Sequence, residues 1–257
     1  MANVRQLVEQ WMADTGVEYN SRSDAPYINT ENAKYVSAVA VFLGVDTSSA
    51  NAKGVDIFLV PENLPTAIAT IMVRAQSAAD YHPAKQSPEV LAEKFPAYVV
   101  SLDKVPFFSL TMNDNVKLSI SAKDYASLAN QIVSSFGVVG EIDKKSLTIK
   151  VIEIAEKVLS QGAAENSGGL LIISSIDYTS PLEPKLYIYH ALMNKQHAQL
   201  AKPSPLCLDV VVNRMEFAVL PELIRTYANT LSRLEKVSVK EWIYDSSSVG
   251  DQKLSYA

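Results

Sequence analysis

"PLCLDVVVNRMEFAVL", residues 205–220, is the stretch of this chain that decides its fold. In an extended strand, alternate side chains share a face. One face of its first half is wholly apolar and consists of Leu206, Leu208, Val210 and Val212. The other face holds Cys207 and Asp209 and becomes apolar beyond Asn213. Apolar residues on both faces predict a central strand covered on both sides, with Cys207 buried near its start.

The apolar pattern of this stretch changes phase after Val212. Arg214 and Glu216 occupy the positions that would continue the clean apolar face. A β-bulge near Asn213 would explain the change, and so would a change in the layer that covers the strand. The sequence leaves both explanations open.

Amphipathic helices are predicted elsewhere by apolar residues at helical spacing. They cover about 64–79, 121–137, 144–160 and 220–237, and the second begins with Ser121 as its N-cap. Runs of β-branched and aromatic residues predict strands at 55–60, 97–102, 107–112, 116–120, 169–178 and 185–193. Asn113, Asp114 and Asn115 favour a short hairpin between two of these strands.

These elements predict a mixed α+β (α/β) fold. A largely antiparallel or mixed sheet is expected, covered by amphipathic helices. No clear linker divides the chain, so a single compact domain is predicted over residues 1–257.

Composition excludes some function classes. The formal charge is −5, and no cluster of Lys and Arg offers a surface for phosphates, so no nucleic-acid partner is expected. The longest apolar stretch, at 35–45, is shorter than the ~20 residues of a membrane-spanning helix. The N-terminus lacks a Sec signal pattern, so we expect synthesis in the cytoplasm. Membrane association and export by a non-classical route both stay open.

Motifs for bound cofactors are also missing. The chain has no Walker loop and no Gly-x-Gly-x-x-Gly fingerprint, so no nucleotide is expected. His82, His190 and His197 form no helical ligand pair, and one cysteine cannot supply a zinc knuckle, so no metal is expected.

Cys207 is the only cysteine of the chain, and three interpretations of it compete. It can be a small core residue, because cysteine outside disulfides is among the most buried residue types. It can be a nucleophile with His190 or His197 as base, although Asp209 on the same face disfavours a thiolate. It can also carry an acyl chain in thioester linkage, with the chain folded into the protein's own apolar interior.

The stretch "SPLCLDVVV" at 204–212, in an α/β chain of this length with one late cysteine, resembles the Erwinia virulence factor family. These bacterial proteins promote colonisation of the insect gut and carry a palmitoyl group on a central cysteine. The resemblance implies that Cys207 is the lipid attachment site and palmitate the covalently bound group. It also implies a fatty acid as partner, with a host or bacterial membrane as a further one, and no catalytic residue.

A different class of protein remains as the alternative. A cysteine-dependent hydrolase or acyltransferase would use Cys207 as nucleophile, with His190 or His197 as base. A histidine close to the sulfur would favour this enzyme, whereas a dry apolar tube without a base would favour stable lipidation.

Overall fold

The computed structural model describes residues 3–15, 35–43, 54–83, 86–137, 141–160, 168–177, 182–195 and 206–233. Within these ranges, eight α-helices and one five-stranded sheet confirm the mixed α+β class. The prediction of one domain over 1–257 stays a prediction. No helix in the described ranges is long and apolar enough to cross a membrane.

The helices are α1 (Val4–Asp14), α2 (Asp56–Leu59), α3 (Leu64–Ala78), α4 (Pro88–Asp103), α5 (Tyr125–Ser135), α6 (Glu141–Ser160), α7 (Pro221–Thr226) and α8 (Ala228–Leu231). A 3₁₀ turn, Pro61–Asn63, precedes α3. The strands are β1 (Tyr35–Leu43), β2 (Phe108–Ala122), β3 (Gly168–Asp177), β4 (Lys185–Lys195) and β5 (Leu206–Val219).

The sheet has the strand order β1-β3-β4-β5-β2. β1 runs parallel to β3, and the other three neighbouring pairs are antiparallel. The sheet is therefore mixed, as predicted. β5 lies between β4 and the edge strand β2, so the stretch that opened the sequence analysis is an inner strand.

Helices cover both faces of the sheet. On one face, which we call the α3–α4 layer, α1 to α4, α7 and α8 pack against residues such as Ile172, Ile188 and Phe217. On the other face, the α5–α6 layer, α5 and α6 pack against residues such as Ile173 and Val210. Two hydrophobic clusters thus lie on opposite sides of one sheet.

β5 changes its covering layer along its length, and this explains the change of phase after Val212. Leu208, Val210 and Val212 pack into the α5–α6 layer, whereas Met215 and Phe217 pack into the α3–α4 layer. The register between β4 and β5 is regular throughout, so there is no bulge near Asn213. The irregularity on the other side of β5 falls between Leu110 and Met112 of β2.

Two predicted strands are helical, and these predictions are wrong. Residues 55–60 contain the single-turn helix α2, and residues 97–102 belong to α4. α4 begins at Ser87, whose side chain accepts a hydrogen bond from the Val90 N–H, with Pro88 in the first turn. Its buried residues Leu91, Phe95, Tyr98 and Leu102 recur at helical spacing. Burial of this stripe outweighs the β propensity of its valines.

The predicted hairpin at 113–115 is also wrong, because β2 continues through it. Asp114 is held by Arg214 of β5, and Asn115 donates a hydrogen bond to Asn213 over 2.6 Å. These polar side chains find partners across the strand pair and not in a turn of their own.

Helix boundaries account for the other differences. Asp124, not Ser121, caps α5 and accepts a hydrogen bond from the Ser127 N–H. The helix predicted at 220–237 is two short helices that meet at Tyr227, and its last residues lie outside the described range. The predictions at 64–79 and 144–160, and those for β3, β4 and β5, are confirmed.

Gly169 fixes how closely α6 approaches β3. A Cβ atom at this position would lie 2.3 Å from Ile154 Cγ2 and 2.9 Å from Val158 Cγ2. Both distances are too short for carbon atoms in contact. The absence of a side chain at Gly169 therefore allows the α5–α6 layer to lie directly on the sheet.

Candidate functional site

Cys207 is the second residue of β5 and lies opposite Ser121 of β2. Its Sγ is 3.6 Å from Ser121 Oγ, which is within reach of a weak thiol hydrogen bond. Cys207 was predicted to be buried, and its side chain is half-buried in the structure. The reason is its place near the strand end beside the edge strand, where Asp209, the next residue on that face, is exposed.

A row of polar pairs joins β2 and β5 on the face that carries Cys207. Ser119 Oγ donates to Asp209 Oδ1 over 2.7 Å, and Asn115 pairs with Asn213 in the same way. We call Cys207–Ser121, Asp209–Ser119 and Asn213–Asn115 the polar ladder. Sequence reasoning missed it, although serines at alternate positions 119 and 121 are the signal that could have found it.

An apolar row crosses the sheet between the rungs of this ladder. Val211 lies opposite Leu192 of β4, which lies opposite Leu170 of β3. Leu170 is fully buried in the α3–α4 layer, and Leu192 packs against that layer. The row lies four residues along β5 from Cys207, about 13 Å at the usual rise of a strand. The exposed Asp209 lies between the thiol and this row on the same face of β5.

His190 does not lie beside Cys207. It is opposite Asn213, six residues along β5 from the cysteine, which corresponds to about 20 Å. The structure therefore does not bring together the predicted nucleophile and this predicted base. His82, the other histidine in the described ranges, faces Asp80, with 3.4 Å between Nε2 and Oδ1. His197 lies outside the described residues, so its role as a base stays a prediction.

The environment of His190 also argues against a role as general base. The side chain is 2% exposed and its ring stacks on Phe95, with 4.0 Å between ring centroids. Neither ring nitrogen has a hydrogen-bond partner. Burial lowers the pKa of His190 from 6.5 to about 3, so the imidazole is neutral at physiological pH.

Phe95, on which this histidine stacks, belongs to an aromatic group that sequence reasoning did not foresee. Tyr81 and Tyr98 stack with 4.7 Å between ring centroids, and Phe95 lies within 6.5 Å of both. Burial raises the pKa of each tyrosine well above its ordinary value. Sequence reasoning did not place these rings together because two of them belong to α4, and the C-terminal half of α4 was predicted to be a strand.

No group of three or more His, Cys, Asp or Glu side chains that could hold a metal ion occurs in the described part of the chain. The arrangement around Cys207 offers one thiol, hydroxyl and carboxylate neighbours, and an apolar row. Such a thiol can form a covalent bond, and His190 does not lie beside it to act as a base.

Fold and site together define a mixed α+β protein with a single, half-buried thiol on an inner strand, at the end of the polar ladder. No protein-family model matches the chain, and no curated protein matches it significantly. Among solved structures, the chain is similar to one described as "Structure of the Evf virulence factor". The two are 14% identical with a TM-score of 0.47, and the match covers 92% of each chain. A delta-endotoxin is similar at 10% identity and a TM-score of 0.41, over 77% of this chain and 91% of that one.

Proposed function

We propose that this protein is a bacterial virulence factor that carries a palmitoyl group in thioester linkage on Cys207. The observation that carries the proposal is the position of this half-buried thiol, at the end of the polar ladder and on the same face as the apolar row about 13 Å along the strand. In the proposal, the acyl chain lies along the apolar interior in the resting state. Its release lets the protein associate with a membrane during colonisation of the insect gut.

The dimensions of the sheet suit a sixteen-carbon chain. With carbon–carbon bonds of about 1.5 Å, the extended chain is roughly 20 Å long. Starting at Cys207, it reaches past the row of Val211 and Leu192 to the level of His190, about 20 Å away. Its terminal carbons then approach the buried side chains of the α3–α4 layer.

Burial of the chain has a large energetic effect. At about 0.8 kcal/mol per methylene, sixteen carbons contribute roughly 10 kcal/mol. This is comparable to the whole stability of a typical domain. The same chain turned outward gives only marginal membrane binding. The resting state with an internal chain is therefore the favoured one.

A stable thioester is supported over catalytic turnover by the position of His190. Deacylation of an acyl-enzyme needs a base within hydrogen-bond reach of the attacking water. His190 is neutral and lies about 20 Å along the strand, and His82 faces Asp80. We therefore assign Cys207 the role of an attachment site, and the alternative of a nucleophile with His197 as base stays a prediction.

Intact-mass spectrometry of protein from the native host tests the attachment. We expect the mass of one palmitoyl group above that of the chain, lost on treatment with hydroxylamine and absent in Cys207→Ser. Ser121→Ala serves as the matched control, because it removes the thiol's neighbour and leaves the attachment atom. An unmodified native protein refutes the proposal.

The location of the chain needs its own test. Removal of the acyl group should lower the thermal midpoint, and Val211→Asn should reduce this difference because it places an amide in the apolar row. Val116→Asn is the matched control, since Val116 is equally half-buried but packs against the α5–α6 layer. If both variants change the difference equally, the chain does not follow this row.

Membrane association is tested by flotation with liposomes. We expect the acylated protein to float under conditions that release the chain and Cys207→Ser to stay unbound. If both forms stay unbound under every condition, the release mechanism fails even when the thioester is present.

A further inference from the structure

His190 is an ionisable side chain enclosed in the contact between β4 and α4. Its ring stacks on Phe95 of α4, and neither ring nitrogen has a hydrogen-bond partner among the described residues. The hydroxyl of Tyr81 is a second buried polar group without a partner there, and its ring stacks on Tyr98 of α4. Such groups are costly to bury, and water would supply their missing partners. Opening of α4 would therefore hydrate groups that the closed structure leaves unsatisfied.

The elements packed around His190 offer no counter-ion for a protonated ring. Its neighbours on β3 and β5 are Ile172 and Asn213, which carry no charge. Burial is the main cause of the lowered pKa of His190, and no charged side chain contributes to it. The ionisable side chains on this side of the sheet are Tyr98 on α4, Tyr81 after α3, Arg74 on α3, Asp209 on β5 and Lys117 on β2, and β1 contains only Tyr35. The carboxylate in this group, that of Asp209, is exposed and lies about 13 Å along β5 from Asn213.

Pro96 weakens α4 near its middle, directly after the ring that stacks on the histidine. Proline has no N–H, so one hydrogen bond of the helix is missing and its two halves are joined less firmly. The N-terminal half is anchored by the ion pair between Lys94 and Asp80. The C-terminal half, residues 96–103, is attached to α3 by a hydrogen bond from the Ser101 hydroxyl to a backbone carbonyl. A hinge at Pro96 would let this half open while the other stays in place.

Unfilled space lies beside the C-terminal half of α4. A groove of about 940 Å³ lies between this half and α1, and Pro96, Ala97 and Val100 form part of its wall. Val100 is 54% exposed, so the outer side of this half is largely uncovered. The C-terminal half can therefore move without displacing another helix.

We propose that α4 is an acid-operated lid, in which uptake of a proton by His190 opens residues 95–103 away from β4. In the closed state the ring is neutral and shielded from water, and in the open state water solvates both the imidazolium and the Tyr81 hydroxyl. A solvated imidazole has a pKa of about 6.5, so the open population increases as the pH falls, by about thirtyfold between pH 7.5 and pH 5. The opening does not require modification of Cys207.

Thiol labelling detects the opening. Cys207→Ser leaves the chain without a cysteine, so Leu102→Cys in this background reports on the C-terminal half of α4, where Leu102 is fully buried. Its labelling by dithiodipyridine is divided by the rate of an unfolded peptide at the same pH. The corrected rate should be about thirtyfold higher at pH 5 than at pH 7.5. His190→Phe keeps a stacked ring and should remove this increase, and an unchanged increase in that variant overturns the proposal.

A second cysteine position separates the lid from global unfolding. Ile132→Cys in α5 is the matched control, since Ile132 is equally buried on the other side of the sheet. Global unfolding exposes both positions, whereas the lid exposes only residue 102. At pH 5, residue 102 should be labelled at least about tenfold faster than residue 132, and low concentrations of urea should accelerate it little. Equal rates at the two positions assign the exposure to global unfolding and overturn the proposal.

Amide hydrogen exchange repeats the test without a substitution in α4, and so remains decisive if Leu102→Cys does not fold. After correction for intrinsic rates, peptides from residues 95–103 should exchange faster than peptides from α6 at pH 5, with little dependence on urea. The same peptides in His190→Phe should keep the protection that they have at pH 7.5. Equal protection of α4 and α6 at pH 5 contradicts the lid.

Discussion

Replacement of His190 by phenylalanine should remove most of the loss of stability that this protein suffers between pH 7 and pH 5. The imidazole is 2% exposed, stacked on Phe95, and without a partner for either nitrogen. Burial lowers its pKa from 6.5 to about 3. A phenyl ring retains the stacking and has no nitrogen to protonate.

The sign and size of the effect follow from proton linkage. Below pH 6.5 His190 binds a proton in the unfolded chain but stays neutral in the folded chain. The free energy of unfolding therefore decreases as the pH is lowered. The loss is about 1.4 kcal/mol per pH unit, or roughly 2 kcal/mol at pH 5. It ends near pH 3, where the folded imidazole also protonates. Above pH 7 the variant should still be more stable by about 1 kcal/mol, because it buries no unsatisfied nitrogen.

Urea unfolding followed by circular dichroism at pH 5, 6 and 7.5 measures this prediction. The difference between variant and wild type isolates His190 from the other titrating groups. His82→Asn is measured alongside it to determine how much of the slope belongs to the other described histidine, whose Nε2 lies 3.4 Å from Asp80 Oδ1. Asp114, whose pKa is lowered by Arg214, loses its contribution only at more acidic pH. A His190→Phe variant with the wild-type slope between pH 7 and pH 5 refutes the reasoning.

Three further predictions concern packing, the sheet edge and the thiol. Gly169→Ala should lower the free energy of unfolding by about 1–3 kcal/mol, because the added methyl overlaps Ile154; the loss should shrink in the Ile154→Ala background, and additive costs in urea unfolding would contradict this. Arg214→Met should lower the free energy of unfolding by about 1 kcal/mol, because it removes the half-exposed ion pair with Asp114. Amide hydrogen exchange in β2 should become faster, and unchanged exchange would show that Arg214 does not hold β2 on the sheet. Hydroxylamine treatment should lower the thermal midpoint of native protein and leave Cys207→Ser unchanged; equal effects on both would exclude a structural lipid.

The inner strands were predictable from sequence because β3 and β4 are largely buried on both faces, and β5 is apolar on one face in its first half and on the other face in its second half. β3, with "GLLIISSID" buried over nearly its whole length, permits no other placement. The full length of the edge strand β2 was not predictable, because the polar residues at its centre, 113–115, are typical of a turn. Their partners, Arg214 and Asn213, become apparent only when β5 is placed opposite β2. Those partners are about a hundred residues away, so no local pattern reveals them.

The candidate site was predictable only in part. Alternation along β5 correctly predicted that Cys207 shares a face with Asp209. It did not predict the exposure of Cys207, because that exposure depends on how far each helical layer extends. A strand pattern shows which side chains share a face and says nothing of where a covering helix stops. The 20 Å between Cys207 and His190 likewise follows from the β4–β5 register, which the sequence does not specify.

The strand order has a consequence for how this protein folds during its synthesis. β3, β4 and β5 are neighbours in both sequence and space, whereas β1 and β2 attach at the two outer sides. Asn213, the partner of Asn115, is synthesised 98 residues later, so β2 has no strand to pair with until β5 has been made. On the ribosome, α1 to α4 therefore emerge with their apolar faces uncovered, long before the sheet exists. The first half of the chain is expected to depend on a holding chaperone during synthesis, and β5, the last of the described strands to emerge, joins β2 to β4.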